Sequence, residues 1–215
     1  MGGYGRSKYI AEQLLARSSL DVTCLRIGQV PGALPKGLWS TSEWVPILVK
    51  TSIALGRLPL ASGFSIFAPP HDTVAKAIID VAFHRSQNGE CTPLMLNLVH
   101  PQPDAWNFVM NCIHDALLKP KNGSNDLEFV SFADWYGALE AREDRDGYIA
   151  EDIPGLKLLD LFSCIADMTQ GAEFGSICYC TDKMRMVSPA MRTAESITKK
   201  QVDAWVGYWR SSGFI

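Results

Sequence analysis

Tyr4 and Lys8 stand four residues apart at the head of an amphipathic run, and this pair constrains the chain more than any other feature. Residues i and i+4 share one face of a helix. If residues 4–17 are helical, the phenol and the ammonium therefore lie side by side. The pattern predicts that helix, with Tyr4, Lys8, Ala11 and Leu15 on one face and Ile10 and Leu14 along its flank. A positive charge beside a phenol makes it a better proton donor, which suits the acid half of a hydride-transfer site. The same spacing arises by chance on surface helices, so it carries weight only with its neighbours. Ser18 and Ser19 break the run. Residues 21–28 then read as a buried strand, because Val22-Thr-Cys-Leu-Arg-Ile27 is mostly apolar or β-branched without alternation. Gly28-Gln29-Val30-Pro31-Gly32 turns away from its carboxyl end, where ligands bind in open α/β sheets.

Helix and strand signals go on alternating, which predicts an α/β fold. Ser42 and Glu43 open a helix that runs to Leu55, with Pro46 in its first turn and Gly56 as its stop. Trp39 and Trp44 sit at its entry and read as core or as a hydrophobic staple. A short strand is expected over 64–68, then a helix over 73–84 capped by Asp72, with Val74, Ala77, Ile78, Val81 and Ala82 facing inward. His71 beside Asp72 has the look of a dyad, but a cap with a histidine next to it is the simpler account. Further strands are expected at 94–99 and 127–130. Helices are expected at 105–117, at 132–143 behind a Ser131 cap, from Pro154, briefly at 181–187, and from Thr198 to 211. Loops fall at 119–125 and 169–180. The charged run 140–146 reads as a solvated helix end.

Composition narrows the partners. A net charge of −3 offers no reason to expect nucleic acid or an anionic membrane surface. No apolar run reaches the roughly 18 residues of a membrane span, and no basic-then-apolar leader pattern opens the chain. The six cysteines read as reduced thiols, which points to the cytoplasm. Cys178-Tyr179-Cys180 has no histidine at ligand spacing, so no metal site is expected.

The block Gly3-Tyr4-Gly-Arg-Ser-Lys8-Tyr-Ile-Ala-Glu12, followed by Leu25-Arg-Ile-Gly-Gln-Val-Pro-Gly32, resembles the extended short-chain dehydrogenase/reductase family. Within it, the chain looks most like the terminal thioester reductase domains of fungal NRPS-like, adenylate-forming reductases. The passage Asn97-Leu-Val-His100-Pro101 before Trp106 and the closing Trp205, Tyr208-Trp209 and Gly213-Phe214 continue that likeness. The resemblance implies a partial Rossmann-like fold: residues 1–100 as the later part of the NAD(P)-binding domain, with a substrate-lobe helix near 43–55, and 101–215 as a mostly helical substrate lobe. It implies Tyr4 and Lys8 as catalytic residues that also touch the cofactor, with Gly28, Gln29 and Val30 beside the nicotinamide. NADP is the implied cofactor, and a phosphopantetheinyl carrier domain bearing an acyl thioester is the implied partner.

That family's first half opens with G-x-x-G-x-x-G after a strand, where helix N-terminal amides bind the cofactor pyrophosphate. No such fingerprint occurs here, and Gly2-Gly3-Tyr4-Gly5 has no strand before it. In the family the Tyr-Lys helix lies mid-domain, so the expectation is a fragment whose strands at 22–27 and 94–99 leave open edges and apolar faces. Three readings of function follow. The chain is part of an NADPH-dependent thioester reductase that releases an aldehyde or alcohol and is inactive alone. Or it is a non-catalytic remnant or interaction module, docking a carrier domain or a separate first half. Or it belongs with the epimerases, dehydratases and steroid dehydrogenases that share Tyr-x-x-x-Lys.

Overall fold

The chain begins with a helix that feeds a strand, as its apolar periodicity requires. The computed structural model describes residues 3–64, 68–88, 94–102, 106–118, 127–142, 153–170 and 179–215. Helix α1 (Gly3–Arg17) leads through a turn into β1 (Cys24–Ile27). After a loop come α2 (Trp44–Leu55), β2 (Arg57–Leu60), α3 (His71–Asn88) and β3 (Met95–Leu98). Next are α4 (Trp106–Leu117), β4 (Glu128–Ser131), α5 (Phe132–Glu140), a 3-10 turn (Pro154–Leu158) and α6 (Leu159–Gln170). Two short helices, α7 (Asp182–Val187) and α8 (Pro189–Arg192), precede the final α9 (Lys199–Ser211).

Strands 1 and 3 pair in parallel, Cys24 opposite Met95 and Ile27 opposite Leu98. Strands 2 and 4 form a second parallel pair, Arg57 opposite Glu128 and Leu60 opposite Ser131. Parallel neighbours require crossovers, and helices supply both of them. The described residues thus form a mixed α/β fold with two small sheets.

Two apolar clusters hold it together. In the smaller, Val74, Ala77 and Val81 of α3 pack on Leu96 and Leu98 of β3, closed by Met184, Val187 and Met191 of α7 and α8. The larger is built on tryptophan. Trp39, Trp106, Trp135, Trp205 and Trp209 are fully buried. A buried indole N–H needs an acceptor. Trp106 Nε1 donates to Pro59 O at 2.9 Å, Trp135 Nε1 to Ser52 Oγ at 2.9 Å, and Trp205 Nε1 to Gly32 O at 3.1 Å. Trp44 stacks on Trp106 with ring centroids 5.7 Å apart.

Several expectations need correction. The strand β2 was not anticipated, because Pro59 within it argues against a strand. Helix α3 begins at His71, so Asp72 lies in its first turn and is no cap; Pro70 O accepts from Thr73 N and Val74 N instead. Ile78 and Ala82 of α3 are exposed, since the two-stranded sheet beneath is too narrow to cover them. For the same reason β1 is half-buried to exposed along its length, not covered on both faces. Helix α5 stops at Glu140, the segment from Pro154 starts as a 3-10 turn, and α8 is additional. The open edges and apolar faces expected of strands 22–27 and 94–99 take a particular form: the two strands serve each other, and neither has another strand partner among the described residues. The centre of the strand expected at 64–68, the 119–125 loop, residues 143–146 of the charged run, most of the 169–180 connection and Cys178 lie outside the described residues.

Candidate active site

Helix α1 carries the Tyr4–Lys8 pair as its spacing requires, with Lys8 Nζ 5.3 Å from the centroid of the Tyr4 ring. Tyr4 is 77% exposed and no residue of α1 is buried. An apolar flank made of Tyr9, Ile10 and Leu14 also faces outward. Instead of burial, a bidentate ion pair ties the helix to β1. Arg26 Nε donates to Glu12 Oε1 at 2.8 Å and Arg26 Nη2 to Glu12 Oε2 at 2.7 Å. The hydrogen bond from Arg26, then its charge, holds the Glu12 carboxyl below its ordinary value, and Glu12 in turn raises Arg26. The sequence reading missed this pair. Its one signal was an arginine inside an otherwise apolar strand.

The second element begins where β1 ends. Gly28 N donates to Leu98 O at 3.2 Å, which extends the ladder by one step. Gln29 O then accepts from Ala68 N at 2.8 Å, drawing the loop toward the start of α3. Gln29 Nε2 donates to Val30 O at 3.3 Å and to Glu43 Oε2 at 3.4 Å. The result is a cleft of about 230 Å³ bordered by Gly28, Gln29 and Val30 on one side and by Trp39, Ser40, Glu43 and His71 on the other. The structure therefore gathers the three predicted loop residues at one cleft and the two predicted helix residues at one helix face. Tyr4 and Lys8 do not line this cleft. Ser40 and Glu43 were not singled out as site residues, and His71 was read as a bystander to a cap.

The last helix fixes the loop beyond the cleft. Trp205 Nε1 reaches Gly32 O, and Trp205 meets Trp39 edge-on with centroids 4.9 Å apart. Residues 33 and 38 form an antiparallel bridge around a cis Leu34–Pro35 bond, and Gly37 turns there with φ 68°. A cleft wall near residue 30 is thus set by a helix more than 160 residues later. Elsewhere, burial pushes the Cys112 thiol up, away from nucleophile duty.

Residues 1–78 match the family model of the male sterility protein, an NAD-binding domain. The terminal R domain of the myxalamid PKS-NRPS biosynthetic pathway superposes on all of the chain with a TM-score of 0.73, at 22% identity and over 51% of its own length. The chain shares the fold of that terminal R domain. The reductase domain of PhqB from Penicillium fellutanum shares this reductase fold, with a TM-score of 0.65, 16% identity and 55% of that chain covered. In sequence, an adenylate-forming reductase of Serpula lacrymans is 39% identical over 99% of this chain. A carboxylic acid reductase of Neurospora crassa is 27% identical over 97% of it. The chain spans about a fifth of the length of these curated relatives. No helix among the described residues is long and apolar enough to cross a membrane.

Proposed function

We propose that the chain forms part of an NADPH-dependent reductase that releases a carrier-bound acyl thioester as an aldehyde. One arrangement carries this reading: a helix holding Tyr4 and Lys8 together leads through a turn into β1, whose carboxyl end opens on the cleft at residues 28–30. The names of the relatives, adenylate-forming reductase and carboxylic acid reductase, support the chemistry. The resemblance further implies a nucleotide-binding part, residues 1–100, and a substrate lobe, 101–215, with α2 belonging to the lobe. The free thiols of Cys24, Cys112, Cys164 and Cys180 suit a reducing compartment, the cytosol.

The residues present fit the nicotinamide end of such a cofactor. Lys8 offers an exposed cationic donor, Tyr4 an exposed hydroxyl, and Gly28, Gln29 and Val30 a backbone edge beside a cleft. They include no phosphate cradle of the G-x-x-G-x-x-G type. When bound, the cofactor supplies a hydride. Tyr4 would donate its phenolic proton to the oxygen on which charge develops, and the carrier sulfur would leave with a proton as a thiol when the carbonyl re-forms as the aldehyde. Lys8 would place positive charge beside that phenol and hold the nicotinamide ribose. The loop at 28–30 would border the nicotinamide, and the lobe from residue 40 onward would shape the acyl site. The preference for NADPH over NADH rests on resemblance alone.

The test supplies NADPH and an acyl-loaded carrier domain to the complete polypeptide that contains these residues, and traps the product with a hydrazine. Aldehyde formed in step with NADPH consumed is the expected result. Consumption without aldehyde, or none at all, overturns the proposal. The exposure of α1 favours a second reading for the 215 residues taken alone. A catalytic pair on a helix without buried side chains is poorly held, so the isolated chain acts as a docking module without turnover. Titration should leave NADPH fluorescence unchanged, and micromolar binding would refute this.

A further inference from the structure

The polar side chains around the cleft at residues 28–30 are not equally occupied. Gln29 Nε2 donates to both Val30 O and Glu43 Oε2, so its two protons are spent. Ser40 Oγ is engaged with Ser42 Oγ at 2.8 Å. Glu43 is a carboxylate and only accepts. His71 differs from these. It lines the cleft, and its imidazole makes no hydrogen bond to any of the described residues. A neutral imidazole carries one N–H donor and one acceptor nitrogen. Acceptors are already plentiful, since Glu43 and the side-chain carbonyl of Gln29 keep lone pairs. The His71 N–H adds the donor that an amide ligand also needs. The backbone beneath it is firmly held. Ala68 N donates to Gln29 O at 2.8 Å and ties this segment to the loop. Pro69 and Pro70 follow, with φ fixed by their rings. Pro70 O accepts from Thr73 N at 2.9 Å and Val74 N at 3.0 Å, where α3 begins. His71 is thus presented to the loop from a stiff support, as a positioning group requires.

Size limits what such a cleft can hold. At about 230 Å³ it falls below the roughly 300–1,000 Å³ of sites that enclose a whole drug-sized ligand. It suits one ring and its substituent. We propose that His71 donates a hydrogen bond to the carboxamide oxygen of the nicotinamide and so fixes the orientation of that ring in the cleft. This rests on the reductase reading above, which gives the cleft to the nicotinamide. A carboxamide has an acceptor oxygen and a donor nitrogen. The cleft answers both, with His71 for the oxygen and the lone pairs of Gln29 and Glu43 for the nitrogen. A ring turned over would lose these partners, so the contact also selects the face from which hydride leaves.

The experiment measures dissociation constants by calorimetry on the complete reductase, for NADP+ and for its thionicotinamide analogue. Sulfur in place of the carboxamide oxygen is a poor acceptor. The wild type is expected to bind NADP+ several-fold more tightly than the analogue, the worth of one neutral hydrogen bond. His71→Ala should weaken NADP+ by that factor and leave the analogue alone, so that the ratio collapses. Unchanged affinity for the analogue also shows that the variant is folded. His71→Gln, whose amide can donate, should restore part of the ratio. A ratio that is the same in the wild type and both variants overturns the role of His71 and leaves the reductase reading standing. Equal loss of both ligands in both variants makes His71 a structural residue and overturns the contact likewise. No binding of NADP+ by the wild type overturns the reductase reading, and the His71 contact falls with it.

Discussion

Tyr4 is asked for chemistry and not for stability, since it is 77% exposed on a helix that has no buried residue. Tyr4→Phe in the complete reductase should therefore lower kcat by about 10²–10⁴-fold, the usual reach of a positioned acid. Thermal stability should move by no more than about 0.5 kcal/mol, the range of surface substitutions. Glu12 and Arg26 have the opposite duty. Their paired hydrogen bonds hold α1 to β1, and the Glu12 carboxyl is held below its ordinary 4.5 by Arg26. A carboxyl lowered in the folded state adds stability that is full above its unfolded value and fades as pH falls through the folded one. The pair is partly exposed, so the amount is below about 1 kcal/mol. Protection of the α1 amides, taken against their intrinsic exchange rates, should fall as pH drops below 4.5, and Glu12→Gln should remove that dependence while lowering protection at neutral pH. A Gln variant that still showed the acid-dependent loss would place the anchor elsewhere. The Tyr4–Lys8 pair was legible because a four-residue spacing has one meaning on a helix. The Glu12–Arg26 pair was not, because it depends on how a helix is set against a strand.

Elements were legible where a local rule and the tertiary fold agree. Helix α9 is the clearest case. Thr198 Oγ1 accepts from Gln201 N, Gln201 Oε1 accepts from Thr198 N at 2.6 Å, and Val202, Trp205, Val206 and Trp209 line one buried face. Cap and periodicity both say helix from 199 onward. Thr198→Ala should cost about 1 kcal/mol, the usual worth of an N-cap hydroxyl, visible as a lower urea midpoint with an unchanged slope. A loss below about 0.3 kcal/mol would show that packing alone sets the start of α9. β2 failed the same test in reverse. Arg57-Leu-Pro-Leu60 is short and contains a proline, so local rules reject it. It forms because Pro59 lies opposite Val130 and its carbonyl accepts a hydrogen bond from the Trp106 indole N–H. No reading of residues 57–60 by themselves could contain that partner. The burial of α3 was misjudged for a related reason. Its apolar periodicity is real, but how much of that face is covered depends on how wide a sheet lies beneath it.

Across the whole molecule, the candidate site depends on the far end of the chain, and two glycines show how. Gly37 and Gly56 have nearly the same left-handed backbone, φ 68° and 71°. A Cβ at Gly56 would meet nothing within 4 Å, whereas one at Gly37 would lie 2.2 Å from Ala204 O on α9. The turn at residues 33–38 is therefore seated directly on the α9 backbone, next to Trp205, whose indole holds Gly32. Gly56→Ala should cost only the left-handed penalty, about 1–2 kcal/mol. Gly37→Ala carries the same penalty and also forces the turn away from α9, because the obstructing atoms are backbone and cannot rotate aside. It should destabilise the protein by at least about 1 kcal/mol more than Gly56→Ala, in the range of overpacking costs. It should also loosen the loop that borders the cleft. In the complete reductase this second effect should raise KM for NADPH, which Gly56→Ala should leave alone. Equal urea midpoints for the two variants would mean that α9 does not bear on the turn. The cleft would then be shaped by its own loop, with no help from the last helix.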